Sequence, residues 1–295
     1  MAASPHLTLR RFNRAWSTRV GALQDSFLGS GRTLGSARLL FEIGPGGASV
    51  LALRRRLGLD SGYLSRLLGE LVEEGLVSLT PDPADRRRRR ASLTARGRRE
   101  WRRLDVGSER LAAELTAELS PRQRARLDDA LATAERLLVA ATVRFERVPA
   151  DAPEARAAVS AYFEELERRF DGGFDPGDAW SADAAAMTPP AGSFLVGYAD
   201  DVVVACGGVQ GIGPGVGEIK RMWVHPRWRG AGLGARTLRA LEHEVAGLGY
   251  AEIRLDTNPT LTDAIALYER TGYRDVERYN DNPYAGRWFA KQVAP

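Results

Sequence analysis

Fourteen residues, HPRWRGAGLGARTL at 225–238, hold three glycines and three arginines between a strand-like run, GEIKRMWV, and a helix-like one. This stretch constrains the fold more than any other. A glycine-rich turn from a strand into a helix sets up an α/β unit and aims successive backbone N–H groups at an anion. A Walker-type loop would end in Gly-Lys-Ser/Thr, which is absent. A dinucleotide fingerprint, G-x-G-x-x-A, is met by Gly230, Gly232 and Ala235, with Asp256 about twenty residues further on. Its first glycine should follow the strand directly, however, and His225 to Arg229 intervene after Val224. The third reading is Arg-x-x-Gly-x-Gly. Here the successive backbone N–H groups of a loop over Arg229-Gly230-Ala231-Gly232-Leu233-Gly234 point at a pyrophosphate, and the dipole of a helix at 232–247 adds to the attraction. A plain strand-to-helix turn satisfies the same letters.

At roughly 150 residues per domain, a chain of 295 residues has room for two domains, and charge separates them. Residues 1–140 carry 25 Lys and Arg against 16 Asp and Glu, and the remainder 17 against 22. Only the first part has the cationic excess that a polyanion attracts. The start, MAASPHLTLRRF, lacks the apolar stretch of a signal peptide, and no run of ~18 apolar residues spans a bilayer. A cytoplasmic protein without a membrane partner is expected. One cysteine, Cys206, and three scattered histidines give neither a disulfide nor metal-ligand spacing, so no metal is expected.

Within the basic part, residues 9–42 read as two helices with a glycine break, LRRFNRAWSTRVGALQDSFL and LGSARLLFEI, the second closed by Gly44-Pro45-Gly46-Gly47. In SVLALRRRLGLD, Val50, Leu53 and Leu57 recur at helical spacing before Gly58. Asp60 then N-caps SGYLSRLLGELVEEG, whose Tyr63, Leu64, Leu67, Leu68, Leu71 and Val72 line one face. Ser61, Ser65 and Arg66 start the opposite face, which suits a recognition helix in a DNA major groove. The stretch LVSLTPDPADRRRRRASLT follows as a strand, a proline-set turn, an arginine cluster and a return strand. This predicts a β-hairpin wing whose tip faces phosphates or a narrow minor groove.

The order from LGSARLLFEIG through SGYLSRLLGELVEEGLV to DPADRRRRRASLTARG resembles the MarR family of winged-helix regulators over residues 8–140. The family's wing signature falls on Asp85, Arg87, Leu93, Thr94 and Gly97, and the resemblance implies that Asp85 orients Arg87 on DNA. The neighbouring Arg86, Arg88 and Arg89 join the expected contacts to double-stranded DNA. The resemblance also implies a homodimer through the first and last helices of this domain. The helix at about 120–140 carries Leu127, Leu131, Leu137 and Leu138, which suit burial against a partner and equally burial within one chain.

In the second part, TVRFERV reads as a strand, APEARAAVSAYFEELERRF as a helix, and SFLVGYADDVVVACGGVQ as a hairpin turning at Asp200-Asp201. With GEIKRMWVHPRWRGAGLGARTLRALE, AEIRLDTNPTLTDAIALYERTGYR and NPYAGRWFAKQV, residues 142–293 resemble the GNAT superfamily of acyl-CoA N-acetyltransferases. The resemblance implies that Met222 and Val224 offer backbone groups to the pantetheine arm. It also implies that Arg229 and the amides through Ala235 hold the pyrophosphate of acetyl-CoA, and that Asn258 orients cofactor or substrate. Leu261 stands where many relatives carry a second Asn, which puts one contact to that arm in question. Trp223 reads as core and His225 as a turn residue.

Glu218 lies four residues before Met222, so strand alternation sets it on one face with Lys220, Met222 and Val224. The resemblance makes Glu218 the base that deprotonates the amine; the structural alternative is an ion pair with Lys220 or Arg221. Tyr268 is implied as the acid that protonates the departing thiolate, with a core tyrosine as its alternative. Residues 171–193 read as a lid or linker. Arg221, Asn280, Asn282 and Tyr284 lie on segments flanking the acceptor, and a carboxylate-bearing amine would suit Arg221.

The expected architecture is a mainly α winged helix-turn-helix domain at 1–140, followed at 141–295 by an α/β domain with a mixed, splayed sheet. The expected function is bifunctional: DNA binding, and transfer of acetyl from acetyl-CoA to a small-molecule or peptide amine. The alternatives are a repressor whose second domain only senses acyl-CoA, and an acetyltransferase whose winged helix is a dimer scaffold.

Overall fold

A computed structural model describes residues 5–83, 86–177 and 179–293. The chain divides into two compact units, Met1–Asp128 and Asp129–Pro295.

The first unit contains α1 (Pro5–Arg19), α2 (Leu34–Ile43), β1 (Ala48–Ser49), α3 (Val50–Leu57), α4 (Ser61–Glu73), β2 (Val77–Pro81), β3 (Arg89–Leu93) and α5 (Ala95–Thr116). The division falls within α6 (Pro121–Thr142). Small polar residues start these helices by accepting otherwise orphaned amides: Ser49 from Ala52, Asp60 from Tyr63 and Thr94 from Gly97. Leu39, Leu40, Leu53, Leu64, Leu71 and Leu104 meet in one core under a sheet of order β1-β3-β2. Thr94 also donates to Gly75 O at 2.7 Å. A Cβ at Gly97 would meet Leu76 O at 2.0 Å. The Leu-Thr-x-x-Gly pattern is therefore a joint that lets α5 start directly over the wing.

Two expectations change here. The first helix stops at Arg19 instead of running to Leu28, because Gly21 takes a left-handed backbone (φ 68°) and the chain then closes in a 3-10 turn at Phe27–Gly29. Val72, expected in the core, is exposed, because the buried stripe of α4 is filled by Leu64, Leu67, Leu68 and Leu71.

The second unit is a seven-stranded sheet of order β4-β5-β6-β7-β8-β10-β9, in which only β7 and β8 pair in parallel. Its strands are β4 (Arg144–Arg147), β5 (Gly192–Ala199), β6 (Val202–Gly213), β7 (Val216–Val224), β8 (Glu252–Thr257), β9 (Arg274–Asp275) and β10 (Arg287–Gln292). Its helices after α6 are α7 (Pro153–Arg169), α8 (Ala179–Ala186), α9 (Leu233–Gly247) and α10 (Thr262–Arg270). Alternation along β5 sends Phe194 and Val196 to the cluster with α7, and Leu195 to the cluster with α9 and α10, so helices cover both faces. Within residues 171–193, expected as lid or linker, the structure has the helix α8 followed by the start of β5.

Two of the departures from regular pairing in this sheet bear on β7 near its centre. The β7–β8 ladder runs only from Val216 to Glu218, and beyond it the strands diverge. On its other side, β7 slips by one residue against β6 between the pairs Gly208–Lys220 and Cys206–Trp223, and Arg221 takes φ 57° at this bulge. The extra residue reverses the alternation. Trp223 joins the α7 cluster while Met222 packs with the α9 cluster. Glu218 thus does not share a face with Met222 and Val224 as unbroken alternation predicts.

Candidate functional site

The divergence of β7 and β8 opens two adjoining cavities of about 590 and 550 Å3. Tyr162, Met222, Leu261 and Tyr268 line both. The smaller holds the glycine loop, and the larger holds Glu218.

At the glycine loop, Gly230 and Gly232 have φ 74° and 81°, and a Cβ at either would meet nothing within 4 Å. Left-handed backbone suits glycine, and the bare loop lets a ligand approach closely. Gly232 N-caps α9 without a side-chain hydrogen bond, and the first main-chain bond of the helix is Arg236 N to Gly232 O. The amides of residues 230–235 therefore donate to nothing among the described residues. Such a run of free N–H groups at a helix start fits a pyrophosphate. The Arg229 side chain turns inward: it donates to Val224 O at 2.9 and 3.0 Å and reaches the Glu165 carboxylate at 2.5 Å.

Glu165, which sequence reasoning missed, also accepts from the Trp223 indole at 3.0 Å and from Arg169 at 3.1 Å. Burial works to raise its carboxyl, but the hydrogen bonds from Arg229 and Trp223 outweigh it and hold the group below its ordinary range. Trp223 is buried as expected, and His225 accepts from Arg227 N in the turn that follows β7. His225 N donates to Val204 O on β6, so alternation turns the backbone of Val224 and Met222 toward the open, β8 side.

In the larger cavity Glu218 is 3% exposed. Its Oε1 accepts from Tyr279 at 2.9 Å and Asn280 at 3.1 Å, and its Oε2 from Gln210 at 2.8 Å. Burial pushes its carboxyl above the ordinary range, opposed by the charge of Lys220 and the Tyr279 hydrogen bond. The ion pair weighed for Glu218 does not form. Lys220 and Arg221 both turn to Asp183 of α8, at 3.2 and 2.5 Å. Tyr268 is buried against Tyr273 and Phe289, and its hydroxyl has no partner among the described residues. Desolvation raises its phenol, as it raises Tyr162 to about 12.

Asn258 lines the Glu218 cavity rather than the glycine-loop cavity, and its amide is committed to Tyr284 O at 2.8 Å and to Thr260. Asp256, weighed in the sequence only as part of a dinucleotide fingerprint, stands beside Glu218 and accepts from Asn280 and Asn282 at 2.5 and 2.8 Å. Asp256 carried no signal of this in the alternating strand EIRLDT, whereas Gln210 is the one polar side chain in GGVQGIG.

In the first unit, Ser61, Ser65 and Arg66 are exposed on the face of α4 opposite its leucines, and Arg66 lies over the Tyr63 ring at 5.0 Å. Arg86, Arg87, Arg88 and Arg89 are exposed at the wing tip, whereas Arg90 is a strut donating to Gly46 O and Gly47 O. Asp85 lies outside the described residues.

Compared with known families, residues 159–273 match the acetyltransferase (GNAT) family and residues 30–88 the MarR family. An IAA acetyltransferase of Azospirillum brasilense is 33% identical over 119 residues, 40% of this chain and 78% of the relative. An uncharacterized N-acetyltransferase of Schizosaccharomyces pombe is 36% identical over 97 residues, 32% of this chain and 60% of the relative. Among solved structures, a GNAT-family acetyltransferase of Staphylococcus aureus is 12% identical with a TM-score of 0.46, covering 52% of this chain and all of the other.

Proposed function

The chain belongs to the GNAT acetyltransferase family and joins that domain to a MarR-type winged helix, and from this premise we propose a bifunctional protein that binds double-stranded DNA and acetylates a primary amine. One observation carries the enzymatic half. The opening between β7 and β8 joins a loop of free amides to a cavity holding a buried carboxylate whose hydrogen-bond partners among the described residues are all neutral.

The family uses acyl-CoA, and acetyl-CoA is the donor proposed here; when bound it supplies an acyl group activated as a thioester. The amides of residues 230–235 would hold its pyrophosphate, and the main chain of Met222 and Val224 its arm. Arg229 keeps the loop in place by tying Val224 O to Glu165. An alkyl ammonium with a pKa near ~10.4 costs about 4.6 kcal/mol to deprotonate at pH 7. Glu218, raised by burial, is the stronger base for having left water, and it takes that proton directly or through a water. Tyr268 keeps its proton because desolvation raises the phenol, so it serves as acid beside both cavities.

Glu218→Gln is expected to lower kcat by about 10²–10³ and to remove the limb on which activity rises with pH, with acyl-CoA affinity kept. A carboxyl raised on folding stabilises at low pH and gives up that contribution as pH rises through its folded value. The same variant should therefore show a higher Tm than the parent at neutral pH. Wild-type rates in Glu218→Ala combined with Tyr268→Phe, across an amine panel, would refute both roles.

For the regulatory half, Ser61, Ser65 and Arg66 enter the major groove while Arg86 to Arg89 take phosphates or the minor groove. A second copy covers the apolar side chains that one chain leaves exposed on α1 and α6, among them Leu9, Phe12, Trp16, Leu131, Leu137 and Leu138. Sedimentation measures that dimer.

A further inference from the structure

We propose that the cavity at Glu218 selects a primary ammonium carried on an aromatic body and bearing no carboxylate. The product of this selection rests on the acetyl-transfer reading; the selection itself rests on the cavity.

Charge is the first ground. The lining carries four acidic side chains, Asp175, Glu218, Asp256 and Asp281, against two basic ones, Lys220 and Arg221. Both basic groups are taken by the buried Asp183, and the Arg221 guanidinium also lies over the Phe163 ring at 5.0 Å. A carboxylate on the acceptor would find no cation outside the pairs with Asp183 among the described lining residues and would sit beside Glu218 and Asp256.

The second ground is unmet acceptor capacity. Glu218 and Asp256 are bridged by one amide, Asn280 Nδ2, at 3.1 and 2.5 Å. Its orientation is not ambiguous. The Trp288 indole, which can only donate, bonds Asn280 Oδ1 at 3.0 Å, so the NH2 group must face the carboxylates. Asn282 is fixed likewise, with its Oδ1 accepting from Tyr284 N and its Nδ2 donating to Asp256. Every hydrogen-bond partner of the two carboxylates is thus neutral. Gln210 Oε1, next to Glu218, is buried with no partner. Neighbouring carboxylates with no cation in direct contact are costly to hold out of water, and an ammonium offsets that cost while its three donors meet the vacant acceptors.

The third ground is the opposite wall. Phe170, Phe174 and Tyr284 form one ring cluster, with centroids 4.8 to 6.0 Å apart. The Tyr284 hydroxyl accepts from Asp175 N at 2.9 Å and donates to Asp175 O at 3.2 Å, which anchors the wall to the loop after α7. Rings stack on such a wall, and a cation beside it gains from the ring faces.

The test titrates the full chain, without coenzyme A, with 2-phenylethylamine, phenylalanine and hexylamine, and then measures acetyl transfer from acetyl-CoA to each. Phenylethylamine should bind about tenfold or more tighter than phenylalanine, since like-charge juxtaposition is strongly penalised, and about threefold or more tighter than hexylamine. Asp256→Asn, isosteric and neutral, should weaken both ammonium ligands about tenfold while leaving acetyl-CoA affinity unchanged. Phe174→Leu, which keeps an apolar side chain, should erase the preference for the ring. Phenylalanine binding as tightly as phenylethylamine, or a ring preference that survives Phe174→Leu, overturns the proposal. The selection observed without acetyl product leaves the proposal standing and defeats the acetyltransferase reading. Acetyl transfer that is indifferent to the carboxylate does the reverse.

Discussion

The wing tip and the glycine loop are both arginine-bearing turns suited to phosphate, and they are built in opposite ways. At the wing, Arg86 to Arg89 are exposed, and the charge sits on side chains that reach into solvent. At the glycine loop, Arg229 is folded inward onto Val224 O and Glu165, and the donors left for an anion are main-chain amides. A long polyanion with many equivalent phosphates is met by exposed side-chain charge, which tolerates variation in register. A single diphosphate that must deliver a thioester to one spot is met by groups the fold holds still.

The largest consequence is in salt dependence. A dimer neutralising about eight phosphates should lose roughly 10⁴ in DNA affinity between 50 and 200 mM salt, while acetyl-CoA affinity should fall less than tenfold. Parallel titrations by fluorescence anisotropy and calorimetry measure both, and equal sensitivities would abolish the distinction. Next in size is Gly232→Val. A β-branched residue at φ 81° both strains the loop and fills the space a phosphate needs, so acetyl-CoA affinity should drop about 100-fold with DNA binding intact. Replacing Arg87 and Arg89 by Ala should weaken DNA binding about tenfold and make the log–log salt slope shallower by about 0.9 for each phosphate no longer neutralised, leaving acetyl transfer unchanged. The smallest effect belongs to Arg229→Gln. If Arg229 is a strut and not the main phosphate ligand, acetyl-CoA affinity should change only about threefold; a loss as large as that from Gly232→Val would make the two turns alike after all.

How far each region was legible follows from the same contrast. The N-cap Asp60, the leucine stripe of α4 and the hairpin under the arginine cluster are local arrangements, and residue types written side by side disclose them. The glycine loop was legible because positive φ is written as glycine. Asp256 was not, because its meaning depends on Asn280 and Asn282, more than twenty residues away. Glu218 was singled out in the sequence, but its surroundings were misjudged: strand alternation holds only until a bulge, and the bulge at Arg221 comes from how β7 pairs with β6.

By itself the sequence determined most of the elements, the two kinds of unit and the glycine loop between strand and helix, because hydrophobic period, capping and backbone conformation are set by neighbours in the chain. Only the tertiary structure decided that β7 and β8 part after Glu218, that Asp183 takes both nearby cations, and that Arg229 faces inward. These are contacts between segments tens of residues apart. Their outcome depends on which charges and ring faces the folded sheet brings within reach, and no local pattern encodes that.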